Sequence, residues 1–322
     1  MKLSKYNLSD LNNLLPGEFD LFICSSSFEE RSLSVPNSIT KNKAKKVIIV
    51  RNIDLIEHVG QNTNILSEIF CISSVVNIKT SDPILTADNL DGCLVSALGN
   101  KFEGKILLDI TAFTHESLLI LLRIICLRYP NAQITCTYAC ATEYSLGDDV
   151  KHKWLSRGIG EVRSVLGFPG NIVPSRKTHL ILIVGYEHER AAGIIEAIEP
   201  NSIALGYGRS ASATTDKDKE ANELYMHLVE QMATSFSDVK CFEIPCDDPE
   251  GTRNEIQVQI KSAVDMNILL APMNNKLSTV GAAWAALQDE NVQMCYAQAL
   301  RYNYANYSSP GSQFYFFDFV WH

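Results

Sequence analysis

The sequence predicts an α/β fold built as two tandem Rossmann-like units with mainly parallel sheets, related by internal duplication. Three observations predict it. Short apolar runs alternate with helix-length stretches, the pattern of βαβ units and a parallel sheet. One long stretch occurs twice: Ile106 to Tyr144, closed by Ser145, and Ile268 to Ser308. Each copy has an apolar run, a short polar turn, an apolar helix, a second strand carrying Tyr138 or Tyr296, and then Tyr-Ser. Finally, further landmarks recur in one order along both halves, and self-similarity of this kind decides an architecture before local propensity does.

The elements follow in order. Residues 1–18 are a polar lead-in broken at Pro16-Gly17, and Asp20 to Cys24 is a short buried strand. Ser25-Ser26-Ser27 then opens a helix through Phe28-Glu29-Glu30-Arg31. Lys46 to Val50 is the second strand, ending at Arg51-Asn52, with a helix over roughly residues 54–70. Val75 to Ile78 is the third strand, closed by Asp82-Pro83 and followed by a helix to Leu98. Ile106 to Ile110 and Gln133 to Tyr138 are the fourth and fifth strands, with a helix from about Glu116 to Leu127 between them.

In the second half His179 to Ile183 matches the first strand without a gap, and Glu189-Arg190 matches Glu30-Arg31 at the same offset. Ser202 to Leu205, the helix from Asp218 to Ser235, and Cys241 to Ile244 with Asp248-Pro249 match the landmarks after it. Leu146 to Lys177 is punctuated by Gly and Pro, which favour turns. Within it Glu161 to Leu166 reads as the terminal strand of the first half, with Gln313 to Phe317 as its counterpart in the second. The expected units are therefore residues 1–175 and 176–322.

Composition narrows the function. Of 322 residues, 46% are hydrophobic and 20% charged, ample for a core and unlike a disordered chain. The net charge of -9 argues against broad duplex nucleic-acid binding, which needs a basic surface. The nine cysteines show no CxxC pair and no Cys/His ligand spacing, so they read as reduced packing residues in a cytoplasmic protein without a metal site. The amino terminus has no apolar signal core, and no apolar run is long enough to span a bilayer. No cofactor is called for, since P-loop, G-x-S-x-G and H-E-x-x-H patterns are missing, and Gly206-Tyr207-Gly208 is too short for a dinucleotide fingerprint.

Open α/β sheets bind ligands at the carboxyl ends of their strands. In the first half those turns collect Ser25, Ser26, Ser27, Glu30, Arg31, Arg51, Asn52, Asp109, Thr111, Thr114 and His115; in the second, Gly185, Glu189, Arg190, Gly206, Gly208, Arg209, Asn274, Asn275 and Lys276. Open backbone N–H groups at helix starts favour anions, and hydroxyls and cations add to that. Arg31 and Arg190 read as anion clamps, with Glu30, Glu189 and His115 as candidate acid–base groups beside them. His188 is a further such group. The plainer alternatives are that Ser27 and Glu30 form a capping box and that Asp109 and Thr111 only cap a helix. Tyr144 and Tyr307 are placed either to stack on a base or to pack on the sheet.

The run Asp109-Ile110-Thr111-Ala112-Phe113-Thr114-His115 resembles the D-x-T-x-G-T-K turn of CRISPR-associated Rossmann-fold (CARF) sensor domains. Phe113 stands at the glycine, His115 at the basic residue, and Ala271-Pro272 at the acidic start of the second copy. SAVED sensors of bacterial anti-phage signalling look like two such units fused in one chain. The resemblance implies a nucleotide-signal sensor that holds a nucleotide-derived ligand in the crevice between halves and acts through a separate effector protein, with homo-oligomerisation left open. It carries Asp109, Thr111, Thr114 and His115 to the ligand turn, and Asn274, Asn275 and Lys276 to its second copy. The alternative is a hydrolase or transferase acting on a nucleotide or NAD through the Glu-Arg pair.

Overall fold

The computed structural model describes residues 3–71, 73–145, 153–213, 215–234 and 238–321. The described residues form two mixed α/β units whose strands are mostly parallel. The first sheet takes β1 (Tyr6–Asn7), β2 (Phe19–Ser26), β3 (Ala44–Asn52), β4 (Ser73–Ile78), β5 (Lys105–Asp109), β6 (Gln133–Tyr144) and β13 (Ser308–Phe319). Its strand order is β1-β13-β6-β5-β2-β3-β4. The second takes β7 (Ser156–Pro169), β8 (Thr178–Ile183), β9 (Ser202–Gly208), β10 (Asp238–Ile244), β11 (Asn267–Pro272) and β12 (Val292–Tyr302), in the order β10-β9-β8-β11-β12-β7.

Read from the third strand of each half, both orders run third, second, first, fourth, fifth and then an antiparallel strand, with the two-residue β1 added beyond β13 in the first sheet. The first five strands are parallel in both sheets. Strand order reverses between the first and fourth strands, so β2/β5 and β8/β11 are the switch points where α/β sheets open a crevice.

Local chemistry fixes the matching helices twice. Asp82 caps α4 (Pro83–Leu98) by accepting the Leu85 N–H at 3.0 Å, and Asp248 caps α8 (Pro249–Ser262) through the Gly251 N–H at 3.1 Å. Proline follows each cap, where its missing donor costs nothing. Four residues past each Asp, Thr86 and Thr252 donate to the carbonyls of Lys79 and Pro245 at 2.7 and 2.9 Å. α5 (His115–Arg128) and α9 (Lys276–Leu287) are apolar almost all round and correspondingly buried. Small residues let α9 sit close: a Cβ on Gly281 would lie 2.6 Å from the Pro249 carbonyl oxygen. α3 (Ile56–Ile69), α6 (His188–Ile198) and α7 (Asp216–Ala233) bury one face each. Two short helices, α1 (Leu11–Leu14) and α2 (Ser34–Ser38), complete the first unit.

The terminal strands are exchanged relative to expectation. β7, read as the end of the first half, pairs antiparallel with β12 of the second sheet. β13, read as the end of the second half, lies between β1 and β6 of the first. Thr135 donates to Asp318 and Thr142 to the Pro310 carbonyl, both at 2.8 Å, so β13 runs antiparallel to β6. The chain therefore does not divide near residue 175. One compact unit is residues 3–142 with 308–322, and the other is residues 143–307. Nothing local in either strand says which sheet it completes.

The nine cysteines are free thiols. Among the described residues no helix is long and apolar enough to cross a membrane, and no group of three or more His, Cys, Asp or Glu is placed to hold a metal ion.

Candidate functional site

In the first unit the chain leaves β2 through Ser25-Ser26-Ser27 and enters a 3₁₀ turn, Glu30–Leu33, rather than the expected α-helix. Ser27 accepts the Glu29 N–H at 3.3 Å, and no capping box forms. Glu30 faces solvent, whereas its neighbour Glu29 turns inward. Arg31, 3% exposed, donates Nη2 and Nε to Glu29 at 2.6 and 3.0 Å, Nε to Ser308 at 3.1 Å and Nη1 to the Ala139 carbonyl at 3.1 Å. Ser308 in turn donates to Glu29 at 2.6 Å, and the guanidinium lies 5.8 Å from the Tyr138 ring centre.

The second unit builds the same cluster. Arg190, 2% exposed, donates Nε to the Ala297 carbonyl at 2.8 Å and Nη1 to Ser156 at 3.3 Å, and pairs with Glu187. Ser156 donates to Glu187, and the Tyr296 ring centre is 5.2 Å from the guanidinium. Each cluster joins an arginine, a carboxylate, a strand carbonyl, a tyrosine face and a serine. The serine is the first residue of the antiparallel strand, β13 or β7. These are fastenings for that strand. Arg31 and Arg190 are therefore not anion clamps, because their donors are committed inside the protein. Glu30 and Glu189 are not their partners, so the expected Glu-Arg catalytic pair is corrected to the buried pairs Glu29–Arg31 and Glu187–Arg190.

The turn after β5 is likewise satisfied from within. Asp109 accepts from the Thr111 hydroxyl at 2.5 Å and its N–H at 3.1 Å, while Thr111 accepts the Ala139 N–H at 2.9 Å. Burial pushes the Asp109 carboxyl up to about 7, against the pull of the Thr111 hydrogen bonds and the Arg31 charge. Thr114 caps α5 through the Ser117 N–H at 3.2 Å, and His115 is 8% exposed, out of reach as an acid–base group. The Ser26 hydroxyl shares a 2.7 Å hydrogen bond with Thr63, and the Ser25 hydroxyl approaches the Val50 carbonyl at 3.5 Å; both are buried.

In the second unit the switch point is closed. Asn274 donates to the Val184 carbonyl at 2.6 Å, and a Cβ on Gly185 would sit 2.4 Å from the Met273 carbonyl oxygen. Asn275 caps α9 through the Ser278 N–H at 2.9 Å, with half-buried Lys276 beginning that helix. Gly208 packs against Cys246, and Arg209, with 43% of its side chain exposed, reaches Glu255 at 2.8 Å and Glu243 at 3.8 Å. Within each unit most of the residues expected at the strand tips are thus hydrogen-bonded into the fold, while Glu30 and Glu189 are exposed.

A different surface in the second unit has the properties of a ligand site. Lys153, Trp154, Arg157, Tyr186, His188 and Glu189 border a hollow of about 40 Å³, room for a water molecule, beside the turn after β8. Arg157 on β7 and Arg301 on β12 are direct cross-strand partners, both exposed. Both lie over the Trp154 indole, at 4.6 and 5.9 Å from its centre. Neither has an acidic partner among the described residues. The His188 ring stacks on Tyr225 at 4.8 Å, and its buried Nδ1 has no hydrogen-bond partner among the described residues. Tyr186 lies against both Tyr144 and Tyr225. Sequence reasoning passed over Trp154, Arg157 and Arg301 because they fall in a stretch read as linker and in the tail of the repeat. The interleaving of Lys, Trp and Arg over 151–157 and of Arg and Tyr over 301–304 was the available signal.

No protein-family model and no curated protein matches this chain. Among solved structures, it is similar to a LacI-family transcription repressor from Corynebacterium glutamicum, at 12% identity and a TM-score of 0.24, over 75% of this chain and 71% of that one. It is also similar to an N-terminal ketoreductase from a macrolactin assembly line, at 10% identity and a TM-score of 0.25, over 80% of this chain and 56% of that one. Likenesses of this size carry no functional argument.

Proposed function

We propose that the chain is a nucleotide-binding sensor module of the CARF/SAVED type, serving anti-phage signalling through a separate effector protein. One observation carries the proposal: Arg157 and Arg301 face each other across β7 and β12 with an indole beneath both. Like charges directly opposite each other in a sheet are unfavourable. An anionic guest offsets that repulsion, and an aromatic surface beside two guanidinium groups suits a phosphate attached to a base. The hollow is too small to enclose a nucleotide, so the ligand lies across its mouth, with the His188 Nδ1 and Tyr186 beneath. The hydrolase alternative loses its Glu-Arg pair, since Arg31 and Arg190 are tied to Glu29 and Glu187 and not to Glu30 and Glu189.

Calorimetry with cyclic oligonucleotides and mononucleotides tests this. Saturable binding that is lost in the Arg157→Glu/Arg301→Glu double variant is the expected result. Absence of heat across the panel, or binding that survives the double variant, overturns it.

A further inference from the structure

The first unit holds a second cavity, at the pole of its sheet away from the strand-tip turns. It lies where β5 and β6 begin and β13 ends, and its volume is about 390 Å³. That falls within the range of small-molecule pockets, roughly 300–1,000 Å³. Its floor is core: Phe19, Ile134 and Phe319 are almost wholly buried. Pro16 and the Trp321 ring form walls, with Trp321 stacked on Phe319 at 5.7 Å and an interplanar angle of 28°.

The lining is polar at Lys105, Asn131, Gln133, Thr135 and Asp318, of which two are charged. Lys105 stands on one side. Its backbone N–H is taken by Asp20, whose carboxylate pairs with Lys45 at 2.7 Å, and the Lys105 ammonium has no ion pair among the described residues. Asp318 also borders the cavity, with one oxygen accepting from Thr135 at 2.8 Å and the other available as an acceptor.

We propose that this cavity binds a planar aromatic acid that also carries a ring N–H or O–H donor. The ring lies against Pro16 and the Trp321 ring, over the floor of Phe19, Ile134 and Phe319; the carboxylate meets Lys105; and the donor meets Asp318. Aromatic walls favour a flat guest, one cation at the rim selects one negative charge, and the Asp318 carboxylate, the one anionic group in the lining, disfavours acids with no donor to offer it. The site is separate from the Trp154 surface and stands whether or not nucleotides bind there.

The test is saturation-transfer NMR and calorimetry on the full chain with indole-3-acetate, 4-hydroxyphenylacetate, benzoate and neutral indole. Indole-3-acetate or 4-hydroxyphenylacetate should bind most tightly. Lys105→Gln should weaken them about tenfold, roughly the loss of one charge-assisted contact, while leaving indole unchanged. Ala132→Phe, which fills the cavity, should abolish binding of all four, with circular dichroism and melting establishing that it folds. Arg157→Glu/Arg301→Glu should leave binding intact. No saturable binding by any probe, or binding that persists in the Ala132→Phe protein, overturns the proposal. Equal affinity for benzoate and indole-3-acetate removes the role of Asp318 and with it the proposed class.

Discussion

The Ser308 hydroxyl donates to the Glu29 carboxylate at 2.6 Å, joining residues 279 positions apart in the chain. Glu29 also receives Arg31, so one carboxylate holds both the turn after β2 and the start of β13. Glu29→Gln leaves the Arg31 charge buried without its counter-ion, which costs about 3–5 kcal/mol. Ser308→Ala removes one hydroxyl from the network and costs about 1–3 kcal/mol. Urea denaturation of both variants and of the double variant measures the coupling. Strictly additive losses would contradict a shared network.

Removal of residues 308–322 should unfold the first unit, because β13 is an interior strand there. Hydrogen exchange of the truncated chain should find amides of β2, β3 and β5 unprotected. Continued protection of those strands at the full-length level would refute the exchanged topology.

Asp109 gives the first unit a pH dependence. Its carboxyl is raised from an ordinary value near 3.8 to about 7 in the folded state. The folded form therefore holds its proton more tightly than the unfolded form does. The Asp109 contribution to stability is greatest below about pH 4, falls as pH rises from about 4 to 7, and is then constant; its full span is about 4 kcal/mol at 1.36 kcal/mol per unit. Asp109→Asn should flatten that slope and be more stable than wild type at pH 8. Melts from pH 4 to 8 decide it, and parallel curves for the two proteins would exclude the assignment.

Arg301→Gln relieves the cross-strand repulsion with Arg157. In low salt without ligand it should raise stability by a few tenths of a kcal/mol. Wild type with ligand at one hundred times its Kd should gain about 2.7 kcal/mol, and Arg301→Gln should gain far less. Thermal shift with and without nucleotide measures both; an equal gain in the two proteins would show that the ligand sits elsewhere.

Much of the architecture was legible in the sequence. Both halves announced their strands through apolar runs bounded by turns, and Asp82-Pro83 and Asp248-Pro249 marked equivalent helix starts because a cap and its proline are local chemistry. The destination of β7 and β13 was not legible, since strand pairing over such separations depends on contacts like Thr135–Asp318 that no local pattern encodes. Among the turn residues, Arg31 and Arg190 read as anion clamps in the sequence but are tied to Glu29 and Glu187 inside the fold. Glu30 repeats at Glu189 in the sequence, yet the inward carboxylates are Glu29 and Glu187, one just before a 3₁₀ turn and the other just before an α-helix. A duplicated motif preserved the arginine, not the spacing of its partner. Trp154, Arg157 and Arg301 become neighbours only once β7 lies against β12.

The exchange of strands reverses the order in which the molecule is completed during synthesis. β7 through β12 emerge from the ribosome consecutively and lack nothing, so the second sheet can close while translation continues. β6 of the first sheet, made earlier, must wait with an unpaired margin until β13 arrives. A nascent chain of this protein therefore carries its oldest sheet unfinished past a younger one already sealed, and that open margin is where a chaperone would find it.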